Sequence, residues 1–359
     1  MKIQKIGIIG LGLIGGSIAK AIKSAGISVD IYGYDKKEII QAALKEKSID
    51  FSADSFSGLS DCELIFICLP VDATLSVIEE IAPILKKGAV VTDVCGVKSA
   101  IQQKWDFLKS DGIYFGGHPM AGKEKGGYEN SDPLLFENAV YIISDKAKNN
   151  TKADGFLTII SSLGCRIIFL SPRVHDFVVA NVSHLPQLVS VALVNSVSKD
   201  TGDIRSIDFA AGGFKDMTRI ASSNFDIWQP VITNNKTAIL NSLDNLIDEL
   251  NAIKSSIIKN DDIFLENKFE NARVKRDEIP ATRKGFITPL YDITVFIKDQ
   301  PGVISQISSA LYKMDINIKD IELLKIREGT GGNFRMAFES EETANKAKEV
   351  IKNIGFEAV

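Results

Sequence analysis

Histidine is scarce in this chain: three residues in 359, at His118, His175 and His184. Cysteine is nearly as scarce. Cys62, Cys68, Cys95 and Cys165 lie scattered with no CxxC pair, so neither a disulfide framework nor a metal site is expected, only reduced thiols in a cytoplasmic protein. Met1–Lys5 leads into a short apolar run, Ile6–Ile9, that Gly10 and Gly12 interrupt. That is too short for a signal peptide, and no stretch is read as approaching the ~20 apolar residues that span a bilayer. The net charge is -4 with no basic stripe, which argues against nucleic acid and anionic membranes as partners. What remains is ordinary globular composition, 45% hydrophobic and 25% charged, in a chain long enough for two or three domains.

The first half alternates strand and helix patterns. Lys5–Ile9, Val29–Tyr34, Leu64–Leu69, Gly88–Val94, Tyr114–Gly117, Ala139–Ile143 and Cys165–Leu170 read as strands. Gly15–Ala25, Lys36–Lys47 and Ala73–Leu85 read as helices between them, the pattern of a parallel sheet covered on both faces. From Arg173 the pattern turns helical over Arg173–Lys199, Ile204–Ser223, Trp228–Lys259 and Asp262–Lys275. Arg276–Pro289 mixes charge, two prolines and Gly285 without periodicity and reads as a linker. A short βαββα-like unit closes the chain. The expected division is residues 1–172, 173–280 and 289–359.

Gly10-Leu11-Gly12-Leu13-Ile14-Gly15 directly follows the first strand and opens the first helix. Such a turn lets backbone approach a pyrophosphate, which the helix N-terminus then holds. Asp35 ends the second strand, where a carboxylate accepts the ribose hydroxyls and repels the extra phosphate of NADP, although Lys36 and Lys37 offset that repulsion. NAD is therefore the expected cofactor. Leu69 and Pro70 end one strand and Asp93–Lys98 ends the next, small enough together for a nicotinamide ring to lie close. Lys98 reads equally as a substrate-carboxylate partner or as a solvated helix-start lysine.

His118 lies in Gly116–Gly122 after a sheet strand, a shaped loop where ligands bind in open α/β sheets. An imidazole there suits proton transfer near neutral pH. Lys215 and Arg219 are four apart and would share a helix face, which suits an anionic substrate. His175 reads as a structural histidine at a helix start.

These segments resemble prephenate and arogenate dehydrogenases. Gly10–Gly15, Gly117–Gly122, Ser183–Pro186 and Gly213–Arg219 followed by Ile227-Trp228 occur in that family's order over residues 3 to 275. The tail, with Asp299–Val303 after a strand and Ile316–Ile318 opening another, resembles an ACT domain. The resemblance implies a Rossmann-type domain, an all-α dimerisation domain and a ferredoxin-like α+β regulatory domain. It implies NAD-dependent oxidative decarboxylation of prephenate. His118 would accept the C4 hydroxyl's proton, and Arg219 would hold a carboxylate. His184, Lys215, Trp228 and Glu124 would line the pocket, and a homodimer would form through the helical domain. Asp299, Gly302, Val303, Asn317 and Ile318 would bind a regulatory amino acid between paired ACT domains, with tyrosine the economical ligand. Many relatives carry serine where this chain has Gly96, leaving a backbone N–H, a water or Cys95 to replace it. Arogenate remains an alternative substrate. A β-hydroxyacid dehydrogenase would recruit Lys215 and leave His118 unexplained, and a non-catalytic NAD- and amino-acid-binding regulator would leave His118, Lys215 and Arg219 idle.

Overall fold

The computed structural model describes residues 3–123, 125–197, 205–278, 290–298, 300–327 and 331–359. The chain divides into two compact units, Met1–Phe269 and Glu270–Val359.

The first unit opens with alternating elements: β1 (Lys5–Ile9), α1 (Leu13–Ser24), β2 (Asp30–Tyr34), α2 (Lys37–Lys45), β3 (Phe51–Ser52), β4 (Leu64–Ile67), α3 (Val71–Ile81), β5 (Val90–Asp93), α4 (Ser99–Phe107) and β6 (Ile113–Tyr114). The six strands form one parallel sheet in the order β3-β2-β1-β4-β5-β6. Its central strands are buried on both faces, so β4 is an unbroken apolar run. One face packs Ile8, Phe66 and Val90 on α1 residues such as Ile18 and Ile22. The other packs Ile67 and Val91 on Ile78 of α3 and Ile101 of α4.

β7 (Gly117–Pro119), β8 (Val140–Ser144), α5 (Asp154–Ser162) and β9 (Arg166–Leu170) follow. β7 and β8 pair antiparallel and β8 and β9 pair parallel in a separate sheet. The single strand expected over Tyr114–Gly117 is therefore two, one ending in each sheet. A Cβ on Gly117 would lie 2.8 Å from the Asp93 carbonyl and 2.8 Å from Thr92 Oγ1. Only glycine lets the chain pass that close to the end of β5, and the crossing delivers His118.

The helical half comprises α6 (Pro172–Val179), α7 (Leu185–Val197), α8 (Gly212–Thr218), α9 (Phe225–Asn234), α10 (Lys236–Lys259) and α11 (Asp262–Asp277). Three expected helices are broken. A π turn, Ala180–His184, separates α6 from α7. α8 stops at Thr218 and a 3-10 turn runs over Arg219–Ser222. Asn235, with φ -124°, separates α9 from α10. Within the 26-residue run Pro172–Val197 an 18-residue window reaches mean hydropathy 1.6, long and apolar enough by length and composition alone to cross a membrane. Polar residues punctuate the run. Those residues, His175, Asp176 and His184, are buried here in hydrogen bonds to neighbouring elements. Bonds of this kind join the α/β and helical halves, which fall within one compact unit.

The second unit contains β10 (Tyr291–Ile297), α12 (Val303–Lys313), β11 (Asp320–Arg327), β12 (Gly331–Phe338), α13 (Glu341–Asn353) and β13 (Glu357–Ala358). Its four strands are antiparallel in the order β11-β12-β10-β13. Val295, Phe334 and Phe338 pack against Ile307 and Leu311 of α12 and Ala347 and Ile351 of α13. The expected βαββα unit thus gains a last strand, too short at two residues to show a period.

Two glycines of the first turn separate stability from function. A Cβ on Gly15 would lie 1.9 Å from the Gly10 carbonyl, whereas one on Gly12 meets nothing within 4 Å. Gly15→Ala should carry an overpacking cost of about 1–3 kcal/mol, or roughly 2–10 °C of Tm. Gly12→Ala should melt within about a degree of the parent chain in the same calorimetric scan.

Candidate active site

The glycine turn is built as its residue types demand. Gly10 takes φ +89°, with the site of a Cβ only 2.6 Å from the Cys68 carbonyl. Gly12 caps α1 in extended conformation, so Leu13 and Ile14 start the helix and Gly15 packs against Gly10. The first N–H groups of α1 carry no side-chain cap and are available to a phosphate. The open space at the Gly12 Cβ position is a cradle of the kind a pyrophosphate fills. Asp35 Oδ2 accepts the Leu11 N–H at 2.5 Å, and its Oδ1 accepts the Lys36 N–H at 2.6 Å. The acid thus also braces the turn, a bond invisible in the spacing alone. A cleft of about 830 Å³ runs beside it, lined by Gly10, Tyr34, Asp35, Lys37, Phe56 and Leu69. Pro70 caps α3 just beyond Leu69.

The imidazoles gather on the neighbouring edge. His118, in β7, places Nδ1 2.8 Å from His175 Nε2. His175 Nδ1 lies 2.8 Å from Asp176 Oδ1. Asp176 also accepts the backbone N–H of Lys98 at 2.7 Å and of Ser99 at 2.8 Å, and so caps α4. His184 ends the π turn, a distortion that recurs at functional positions. Its Nδ1 is 3.2 Å from Asn235 Nδ2, and Trp228 meets its ring edge-on at 5.9 Å. A Cβ on Gly96 would lie 3.9 Å from His118 Nε2 and 3.9 Å from His184 Nε2. His118, His184 and Gly96 therefore border one space.

Burial pushes the His118 pKa well below the usual histidine range, and His175, Lys98 and His184 lower it further. Burial likewise lowers His175, and takes His184 down to about 4. All three rings are neutral at pH 7, and a neutral imidazole can accept a proton.

Lys98 takes neither role considered for it. It is 4% exposed and paired with Asp93, itself 0% exposed. Asp93 also accepts Tyr114 Oη–H at 2.5 Å and the Cys95 N–H at 2.9 Å. A buried charge needs such partners, so Lys98 is spent inside the protein. Cys95 is buried, with its Sγ 3.4 Å from the Leu69 carbonyl and from Thr74 Oγ1, and its thiol is pushed up to about 12 by burial. Its sulfur is thus engaged by Thr74 and Leu69.

Lys215 lies on α8 and Arg219 on the turn after it, both exposed. The uninterrupted helix face expected for the pair is absent. Gln187 of α7 anchors that turn by donating to the Ile220 carbonyl at 2.9 Å. Glu124 and Asp299 lie outside the described residues. Gly302 takes φ +89° ahead of α12, and Val303 is buried, so only its backbone is available to a ligand. Ile318 lines a cleft of about 410 Å³ with Ile304 and Met336. Gly302 lines another of about 630 Å³, while Asn317 precedes β11. The residues that reasoning from sequence missed are His175, Asp176 and Asn235. The one available signal was His175-Asp176 adjacency, a base beside an acid.

A parallel sheet with a glycine turn, a bracing acid and a half-buried neutral histidine at the strand ends defines a dinucleotide-dependent dehydrogenase. Three family descriptions match in succession: "Prephenate dehydrogenase, nucleotide-binding domain" over residues 18–169, "Prephenate dehydrogenase, dimerization domain" over 171–270, and "ACT domain" over 291–356. The prephenate dehydrogenase of Bacillus subtilis is 36% identical over 96% of this chain and 94% of its own length. That of Lactococcus lactis is 32% identical over 97% and 98%. The crystal structure of prephenate dehydrogenase from Aquifex aeolicus with hydroxyphenyl propionate and NAD+ superposes with TM-score 0.71 at 30% identity, covering 78% of this chain and 99% of that one. The chain belongs to the prephenate dehydrogenase family.

The depressed imidazole pKa values carry a stability consequence. Below the ordinary histidine pKa the unfolded chain takes up protons that the folded chain refuses. Stability is therefore lost as pH falls from about 6.5 toward 4. Tm measured by calorimetry should fall across that window, more shallowly in His184→Gln. A flat Tm would mean that the rings already charge in the folded state.

Proposed function

We propose that this chain is an NAD-dependent prephenate dehydrogenase that oxidises and decarboxylates prephenate to 4-hydroxyphenylpyruvate. The observation that carries this is the neutral His118 facing the Gly96 space at the edge of the dinucleotide fold. The open cradle at Gly12 and the acid at Asp35 suit NAD, with Gly10–Gly15 around the pyrophosphate and Asp35 toward the ribose. When bound, NAD+ supplies the hydride acceptor for C4. His118 takes the proton of the C4 hydroxyl as the carbonyl forms, and loss of the ring carboxylate as carbon dioxide completes the aromatic ring. Arg219 is the carboxylate partner, because a guanidinium binds it through two bonds. Lys215, Trp228 and Glu124 serve the side-chain end. Full-length relatives named for prephenate favour it over arogenate.

Residues 1–172, 173–280 and 289–359 serve as the nucleotide-binding, dimerisation and regulatory parts. The helical part exposes Phe225, Ile227, Leu250, Ile257 and Phe269, an apolar surface suited to a homodimer. The free cysteines suit the cytoplasm. Tyrosine, the pathway's end product, is the proposed ligand of the ACT unit. The N–H groups at the start of α12 would take its carboxylate, and the apolar clefts beside α12 its ring.

His118→Asn should lose about 10²–10⁴ of kcat with little change in KM, as removal of a general base does. Near-normal turnover of prephenate, followed by absorbance of the reduced cofactor, would remove His118 from the mechanism. Tyrosine should inhibit at saturating prephenate, and a chain ended at Lys284 should lose that inhibition while keeping turnover. Equal sensitivity in the shortened chain would place tyrosine in the catalytic pocket instead.

A further inference from the structure

We infer that Asp176 is the positioning residue of this site: it fixes the proton positions on both imidazoles beside Gly96, leaving His118 as the one with an unused lone pair. The inference rests on His118 being the base, and it explains why His118 rather than His184 takes that role.

Asp176 is 5% exposed and its carboxylate receives three N–H groups, from Lys98, Ser99 and His175. Burial by itself would raise its pKa. The bonds from His175, Ser99 and Lys98 outweigh that and hold it below the usual carboxylate range. An ionised carboxylate can only accept, so His175 carries its proton on Nδ1. Burial keeps His175 neutral, which leaves Nε2 as a lone pair. His118 Nδ1 lies 2.8 Å from that lone pair and must donate to it. The proton of neutral His118 is therefore on Nδ1, and Nε2 faces the Gly96 space as an acceptor.

The second chain starts from the same residue and ends with the opposite polarity. The Asp176 backbone carbonyl accepts from Asn235 Nδ2 at 2.8 Å, which fixes the orientation of that amide. The same nitrogen then donates to His184 Nδ1. His184 accordingly carries its proton on Nε2, the nitrogen that lies beside Gly96. Nδ1 of His184 accepts from Asn235 and Nε2 holds the proton, so this ring offers no lone pair to the Gly96 space.

The reaction uses this arrangement directly. The substrate O–H bond breaks and an Nε2–H bond forms on His118. The imidazolium is then tied through His175 to the Asp176 anion. The groups facing His118 are His175 from α6, His184 from the π turn and Lys98 from the loop before α4. Lys98 is neutralised by Asp93, so Asp176 supplies the compensating charge.

The test is steady-state kinetics of the full chain with prephenate and NAD+ across about pH 5–9. An Asp176→Asn amide offers one acceptor oxygen to three donors. It should lose about 10²–10⁴ of kcat, the range of a mis-set general base, with KM within about threefold. The acid limb of kcat/KM should move to lower pH, because the imidazolium has lost its anion. His175→Leu should behave alike. In His175→Gln the carbonyl accepts from His118 while the amide donates to Asp176, so it should recover most of the kcat lost in His175→Leu. A purely structural role predicts no such recovery and no movement of the limb. If Asp176→Asn fails to fold, the His175 pair decides alone. Normal kcat and pH limb in Asp176→Asn or His175→Leu, with His118→Asn inactive, would overturn the inference. An active His118→Asn would instead overturn the assignment of the base.

Discussion

The buried carboxylate of Asp176 ties the helical half to the sheet edge. Asp176 sits in α6 of the helical half, yet its partners are the N–H groups of Lys98 and Ser99, where α4 begins at the edge of the sheet. Desolvating a carboxylate costs several kcal/mol, which only good hydrogen bonds offset. The two halves therefore meet where those bonds can form. The contact that satisfies the charge also brings His175 onto His118 and Asn235 onto His184. Packing, electrostatics and the placement of the imidazoles share one constraint.

The dinucleotide edge depends on the opposite device, the removal of side chains. Gly10, Gly15 and Gly117 occur where a Cβ would meet backbone at 1.9 to 2.8 Å. Gly12 and Gly96 occur where nothing crowds them, and their open space faces the ligand-binding edge. The first group lets the chain fold back on itself, and the second leaves open space at the strand ends. Asp35 joins the two purposes by bracing the turn with the carboxylate that faces the cleft.

Much of the site was legible because its residue types are improbable elsewhere. A histidine among glycines and a proline is unlikely to be core filling, and His118 was readable for that reason. His175 was not, because in an apolar helix its period is that of packing and nothing local marks a partner 57 residues away. Lys98 misled in both readings considered. Its charge suggested solvent or ligand, and only the fold shows Asp93 beneath it. The broken helices escaped notice because apolar spacing continues through the π turn at Ala180–His184.

By itself the sequence determined the local and periodic properties: the alternation that makes a parallel sheet, the glycine turn, the acid after β2, the helical second half and the small α+β tail. Each depends on residues within a few positions of one another, so a linear reading contains it. Tertiary structure decided which polar groups are buried, and therefore which are paired, neutral or free. Lys98, His184, Cys95 and Asp176 acquire their roles from neighbours distant in the chain. Burial and long-range hydrogen bonding set charge and proton position, and neither is a property of the order of residues alone.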